Sequence, residues 1–161
     1  MRAILKFCEG LPEVSTEAGE VLLEEQGSAG VLYVLIDGEV EVRKGDYVVR
    51  EVSEPGSIFG ELSVLLGLPH TASVRTLTAC RLYRVERASE FLQTNQELVY
   101  LVAKLLAQRL NSITGYLVDL KAQYEDQDDH LGMVDEVLES LVHDQDEPFD
   151  VGSDRDPNTA L

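Results

Sequence analysis

The spacing of polar and apolar positions changes once along this chain, near Arg87. Before it, apolar residues come in short runs or alternate with polar ones. Val31-Leu-Tyr-Val-Leu-Ile36 is an apolar run rich in strand-forming residues, and Asp37-Gly38 after it supplies the positive φ angles of a tight hairpin turn. Glu39-Val-Glu-Val-Arg43 then alternates, as a strand with one wet face does. Lys44-Gly45-Asp46 reads as the next turn and Tyr47-Val-Val-Arg-Glu-Val52 as the next strand. Beyond Pro55-Gly56, Ser73 to Leu77 and Arg81 to Val85 read as two further strands. Residues 1 to about 87 therefore predict a mainly β fold, a sandwich or a barrel.

From Ala88 to Tyr124 there is no proline, and the only glycine is Gly115. Val99, Ala103, Leu106, Leu110, Ile113, Leu117, Leu120 and Tyr124 recur at alternating spacings of four and three, the stripe of a coiled-coil seam. Leu98, Val102 and Leu105 form a second stripe that stops at Arg109. A helix apolar on two sides and then on one can pack first on its own barrel and later on a second copy. The expectation is a long C-terminal helix, about 88–124, that dimerises the protein through 99–124. A single helix lying wholly on its own domain is the other reading.

Charge interrupts the pattern at Asp126 to His130. Leu131, Val134, Leu138, Leu141 and Val142 suggest a short amphipathic helix, too short to hold without a surface to pack on. The expected organisation is thus a domain over 1–124 that includes the long helix. An acidic hinge with the short helix follows over 125–142, and a disordered acidic tail over 143–161.

Composition narrows the function classes. The formal net charge is -17, whereas nucleic acid and anionic lipid both require a basic face. From Glu125 onward 13 acidic residues face a single arginine, so much of the imbalance sits in a solvated tail. No apolar run approaches the ~20 residues that span a bilayer, and a cytoplasmic protein is expected. Cys8 and Cys80 lie far apart in apolar contexts and are expected to be reduced and buried. The three histidines, His70, His130 and His143, form no cluster of metal-ligand spacing, so the reading includes neither a metal site nor catalysis.

The informative segment is Phe59-Gly-Glu-Leu-Ser-Val-Leu-Leu-Gly-Leu-Pro-His-Thr-Ala-Ser-Val74. Gly60 lets the backbone come close to another group, and Glu61 to Leu66 can form a helical turn or two that ends at Gly67 with Pro69 just beyond. A short helix opening there points backbone N–H groups at whatever sits before it, which suits an anion. A structural reading, in which Gly60 and Pro69 merely shape the barrel, leaves Glu61 without a purpose.

This segment resembles, without a gap, the phosphate-binding cassette of the cyclic-nucleotide-binding family, whose pattern is Phe-Gly-Glu-aliphatic-small, then Pro-Arg-small-Ala-Ser/Thr-Val. Leu32 to Gly38 and the Pro55-Gly56 turn also sit where that family has them, and the resemblance covers about Ala3 to Tyr124. It implies a β-sandwich of double-stranded β-helix, jelly-roll-like form with an N-terminal helical piece. It also implies a bound cyclic nucleotide, cAMP or cGMP, and no other cofactor. In that likeness Glu61 takes the ribose 2′-hydroxyl, backbone N–H groups near Gly60, Leu62 and Ser63 cradle the phosphate, and Thr71 places its hydroxyl near phosphate and base. A threonine there goes with a preference for cGMP. Ile113 and Thr114 occupy the region of the helix from which family members reach the purine.

His70 departs from the pattern, which has arginine. Imidazole offers one donor where guanidinium offers a planar fork, and at its ordinary pKa of about 6.5 it is mostly uncharged at neutral pH. Charged hydrogen bonds contribute on the order of 1.5–3 kcal/mol each, so their loss weakens binding by roughly one to three or more decades. Two functions follow: a dimeric regulatory sensor that binds cyclic nucleotide and signals to a protein partner, or a degenerate domain that serves as a dimeric protein-interaction scaffold without nucleotide. A DNA-binding regulator of the family would follow the helix with a basic helix-turn-helix of some 60 residues or more. The 37 residues after Tyr124 are acidic instead.

Overall fold

The computed structural model describes residues 2–123, 134 and 137–141. The chain divides into two compact units, Met1–Lys104 and Leu105–Leu161. The expected tail over 143–161, and the hinge and short helix over 125–142 apart from 134 and 137–141, lie outside the described residues; those six positions are helical.

The first unit opens with a 3-10 helix, Arg2–Phe7. Eight strands follow: β1 (Glu13–Thr16), β2 (Val21–Leu23), β3 (Leu32–Asp37), β4 (Val40–Lys44), β5 (Tyr47–Val52), β6 (Ile58–Phe59), β7 (Ser73–Thr76) and β8 (Cys80–Val85). Helix α1 (Glu61–Leu66) stands between β6 and β7, and α2 (Ala88–Thr94) and α3 (Gln96–Gln123) follow β8. The strands form two antiparallel four-stranded sheets, ordered β1-β8-β3-β6 and β2-β7-β4-β5. This is the mainly β sandwich that the apolar runs predict.

The core lies where inward residues of both sheets meet. Tyr33 and Leu35 of β3, Phe59 of β6 and Leu82 of β8 pack with Leu23 of β2, Val40 of β4 and Val74 of β7. β4 alternates valine with charged residues as the sequence shows, but its outward face is not wet throughout, because Glu41 is buried. Glu41 is only 4% exposed and receives Arg75 Nη2 at 2.6 Å from β7, its partner across the ladder, with Arg43 Nη1 at 3.4 Å. A buried carboxylate is tolerated when paired and hydrogen-bonded in this way. On the outer side of the same sheet, β5 is an edge strand, and its Tyr47 and Val49 are largely exposed.

Both cysteines are free and buried, as the sequence suggests. Burial pushes the Cys8 thiol up to about 11, so it stays protonated and unreactive at neutral pH.

The helical pattern does begin near Ala88, but it is two helices rather than one. Asn95 leaves the helical region, at φ -121° and ψ 86°. The Thr94 hydroxyl donates to the Glu90 carbonyl at 3.0 Å and the Asn95 amide nitrogen to that of Phe91 at 3.0 Å. Such side chains offer the backbone an alternative to the next helical bond, and the helix ends there. In α3 the two stripes behave differently. Leu98 and Val102 are buried in the first unit, whereas Leu110 and Ile113 are exposed in the second. No helix of the described residues is long and apolar enough to cross a membrane.

Candidate functional site

The segment singled out from the sequence begins where β6 ends. Gly60 adopts φ 90° and ψ 0° and caps α1. A Cβ at this position would lie 2.6 Å from the Val31 carbonyl oxygen and 3.2 Å from Leu23 Cδ1, so the close approach requires glycine. The Val64 amide closes the first turn on the Gly60 carbonyl at 3.2 Å. Leu62 and Ser63 stand in the opening turn of α1, where backbone amides have no acceptor within the helix itself. Glu61 and Ser63 are buried in the same turn, at 4% and 2% exposure, while Leu62 is exposed. A carboxylate and two donating amides therefore share one turn, which suits a ligand offering both a hydroxyl and an anion. At the far end Gly67 turns the chain, its amide bonded to the Ser63 carbonyl.

His70 is held by this turn. Its ring is 5% exposed, and Nδ1 stands 3.0 Å from Ser63 Oγ. The hydroxyl donates to Nδ1 in one tautomer and accepts from it in the other; in the latter its own hydrogen has the Pro69 carbonyl at 3.5 Å. The ring fits because it passes two glycines: a Cβ on Gly27 would meet its Cδ2 at 3.6 Å, and one on Gly60 its Cε1 at 3.7 Å. Above and below, the His70 backbone is clamped to the loop after β2. Its amide donates to the Gly27 carbonyl at 2.9 Å and its carbonyl accepts from Gln26 at 2.8 Å. Gln26 itself takes φ 65°, the one positive value among described residues other than glycine.

A third segment joins these two. Lys44, at the tip of the β4–β5 hairpin, donates from Nζ to the Thr71 carbonyl at 2.8 Å, and Glu25 Oε1 lies 3.6 Å from the same ammonium. Glu25 also accepts the Gly45 amide at 2.8 Å and donates its own amide to Ser73 Oγ at 2.9 Å. The Thr71 hydroxyl makes no hydrogen bond among the described residues.

Of the residues that the sequence reading assigns to a ligand, Gly60, Glu61, Leu62, Ser63, His70 and Thr71 all fall in this stretch of the first unit. Thr114 belongs to the second unit, where its hydroxyl donates to the Leu110 carbonyl at 2.9 Å, an ordinary bond for a helical threonine. Lys44, Glu25, Gln26 and Gly27 carry no sequence signal that joins them to this stretch. A Lys-Gly-Asp turn carries no sign of what its lysine will touch 27 residues later.

The family model described as the cyclic nucleotide-binding domain matches residues 13–95, just over half of the chain. Two uncharacterized ABC transporter ATP-binding proteins of Mycobacterium tuberculosis are 39% identical to it, over 66 and 67 residues, in each case 38% of this chain and 20% of the relative. The aligned part thus spans about a fifth of the length of those relatives. Among solved structures, the Thermus thermophilus catabolite activator protein superposes with a TM-score of 0.63 at 19% identity, over 75% of this chain and 60% of that one. A protein kinase A regulatory-subunit domain bound to Sp-2Cl-cAMPS superposes with a TM-score of 0.55 at 23% identity, over 71% and 75%. At these identities the superpositions establish the sandwich with its C-terminal helices.

Proposed function

This chain belongs to the cyclic nucleotide-binding domain family, and from that premise we propose that it is a regulatory module which binds cAMP or cGMP at the Gly60–Thr71 cassette. The observation that carries the reading is the first turn of α1, where a buried glutamate, Glu61, opens the same turn as Leu62 and Ser63. Glu61 accepts from the ribose 2′-hydroxyl, the amides of Leu62 and Ser63 with the Gly60 backbone receive the cyclic phosphate, and the Thr71 hydroxyl meets phosphate or base. His70, hydrogen-bonded to Ser63, steadies the turn.

Calorimetric titration of the full chain with cAMP and with cGMP tests this. Saturable heat with one-to-one stoichiometry is expected for at least one of the two. No heat up to about millimolar ligand, the range of the weakest specific binding, refutes it. That result would favour the second reading, a domain that keeps the fold as a protein-interaction scaffold. The inward-turned His70 ring is the observation on its side.

The module is further proposed to work as a dimer in the cytoplasm, joined through 99–124 and read by a protein partner. Leu110 and Ile113 support this, two apolar side chains of the heptad stripe left at 47% and 56% exposure, whereas a helix without a partner normally keeps such a stripe covered. Light scattering across a hundredfold range of concentration should give twice the 17.8 kDa chain mass. A monomer mass throughout removes the dimer.

A further inference from the structure

We infer that Lys44 supplies the positive charge that neutralises the bound cyclic phosphate. This rests on the nucleotide reading above and adds to it a residue outside the cassette. A cyclic nucleotide brings one negative charge to a cassette whose own carboxylic side chain, Glu61, is buried. The one basic residue inside the cassette, His70, has its ring buried and Nδ1 engaged with Ser63. Arg75, next along β7, is held at 2.6 Å on Glu41, and Arg43 at 3.4 Å on the same carboxylate.

Lys44 differs from all of these. Its ammonium is tied to the cassette by the Thr71 carbonyl at 2.8 Å, while its side chain remains 63% exposed. An ammonium has three donors. One is on Thr71, and the Glu25 carboxylate, at 3.6 Å, is beyond hydrogen-bond length. Glu25 pairs with the ammonium but leaves two of its donors without a hydrogen bond, and these can meet an anion seated beside the Thr71 hydroxyl, which has no bond of its own among the described residues. Glu25 holds the tip from below through the Gly45 amide, so the charge is presented at the end of a braced hairpin. Its flexible four-carbon stem allows it to follow the phosphate.

The test compares wild type with Lys44→Ala, Lys44→Gln and Lys44→Arg in titrations with cAMP and cGMP at low and high salt. Alanine and glutamine are expected to weaken binding on the order of fivefold to tenfold, as for loss of a partly solvated charged contact, and arginine to stay within about twofold of wild type. Wild-type affinity should also fall with added NaCl more steeply than that of Lys44→Gln. Circular dichroism melts of all four proteins confirm folding. If wild type binds and Lys44→Ala matches it, or if Lys44→Gln keeps both the affinity and the salt dependence, the assignment of Lys44 is overturned while the nucleotide reading stands. If wild type binds neither nucleotide, both fall together.

Discussion

Replacing Gly60 by alanine should destabilise the whole domain. The expected loss is about 2–4 kcal/mol. Roughly 1–2 of these come from forcing an L-residue into the left-handed region, here at φ 90°. The rest comes from a methyl carbon placed 2.6 Å from the Val31 carbonyl oxygen, an overlap that a packed core relieves only by shifting backbone. In a domain of this size each kcal/mol moves the melting temperature by about 4–8 °C, so a drop on the order of 10 °C or more is expected. Gly67→Ala is the matched control. It sits at φ 68° with nothing within 4 Å of the new carbon, so it carries the conformational cost alone, about 1 kcal/mol. Equal losses at the two positions would show that the contact with Val31 is irrelevant.

Glu61→Ala should leave the protein folded and reduce nucleotide affinity by roughly 10- to 150-fold, the worth of one charge-assisted hydrogen bond of about 1.5–3 kcal/mol. The partner atom can be identified by varying the ligand as well as the protein. A 2′-deoxy cyclic nucleotide should bind wild type as weakly as the natural ligand binds Glu61→Ala, and the two losses should not add. Additive losses would place the carboxylate against some other part of the ligand. Because Glu61 is 4% exposed, a melting curve must accompany the titration.

What could be read from the sequence divides by the distance between contacting residues. The Lys44-Gly45-Asp46 hairpin turn and the short helix between Gly60 and Gly67 are each encoded within a dozen or so neighbours and are found where the pattern puts them, whereas Asp37-Gly38 makes a turn but no hairpin, because it passes the chain from β3 in one sheet to β4 in the other. The helix break is also local, yet Thr94-Asn95 sits in a stretch without proline or glycine just ahead of the apolar stripes, and two polar residues in a helix usually face solvent without consequence. The braces of the site are not local at all. Glu25 to Ser73 spans 48 residues and Lys44 to Thr71 spans 27. Nothing in either neighbourhood announces the other. His70 shows the same limit. Its type suggests an anion contact, but its direction is decided by the space beside Gly27 and Gly60, which exists only once the sandwich has closed.

The Glu41–Arg75 pair has a consequence beyond its own stability. Strand pairing has a period of two, and a slip of one residue between β4 and β7 would turn Glu41 into the core and Val40 and Val42 out of it. The ion pair makes that slip costly and so pins the register in which Arg43 stands opposite Ser73. Lys44 is the next residue. A strand advances about 3.3 Å per residue, more than the whole 2.8 Å from its ammonium to the Thr71 carbonyl. The sheet thus acts as a ruler, and the buried carboxylate is the mark against which the reach of the lysine is set.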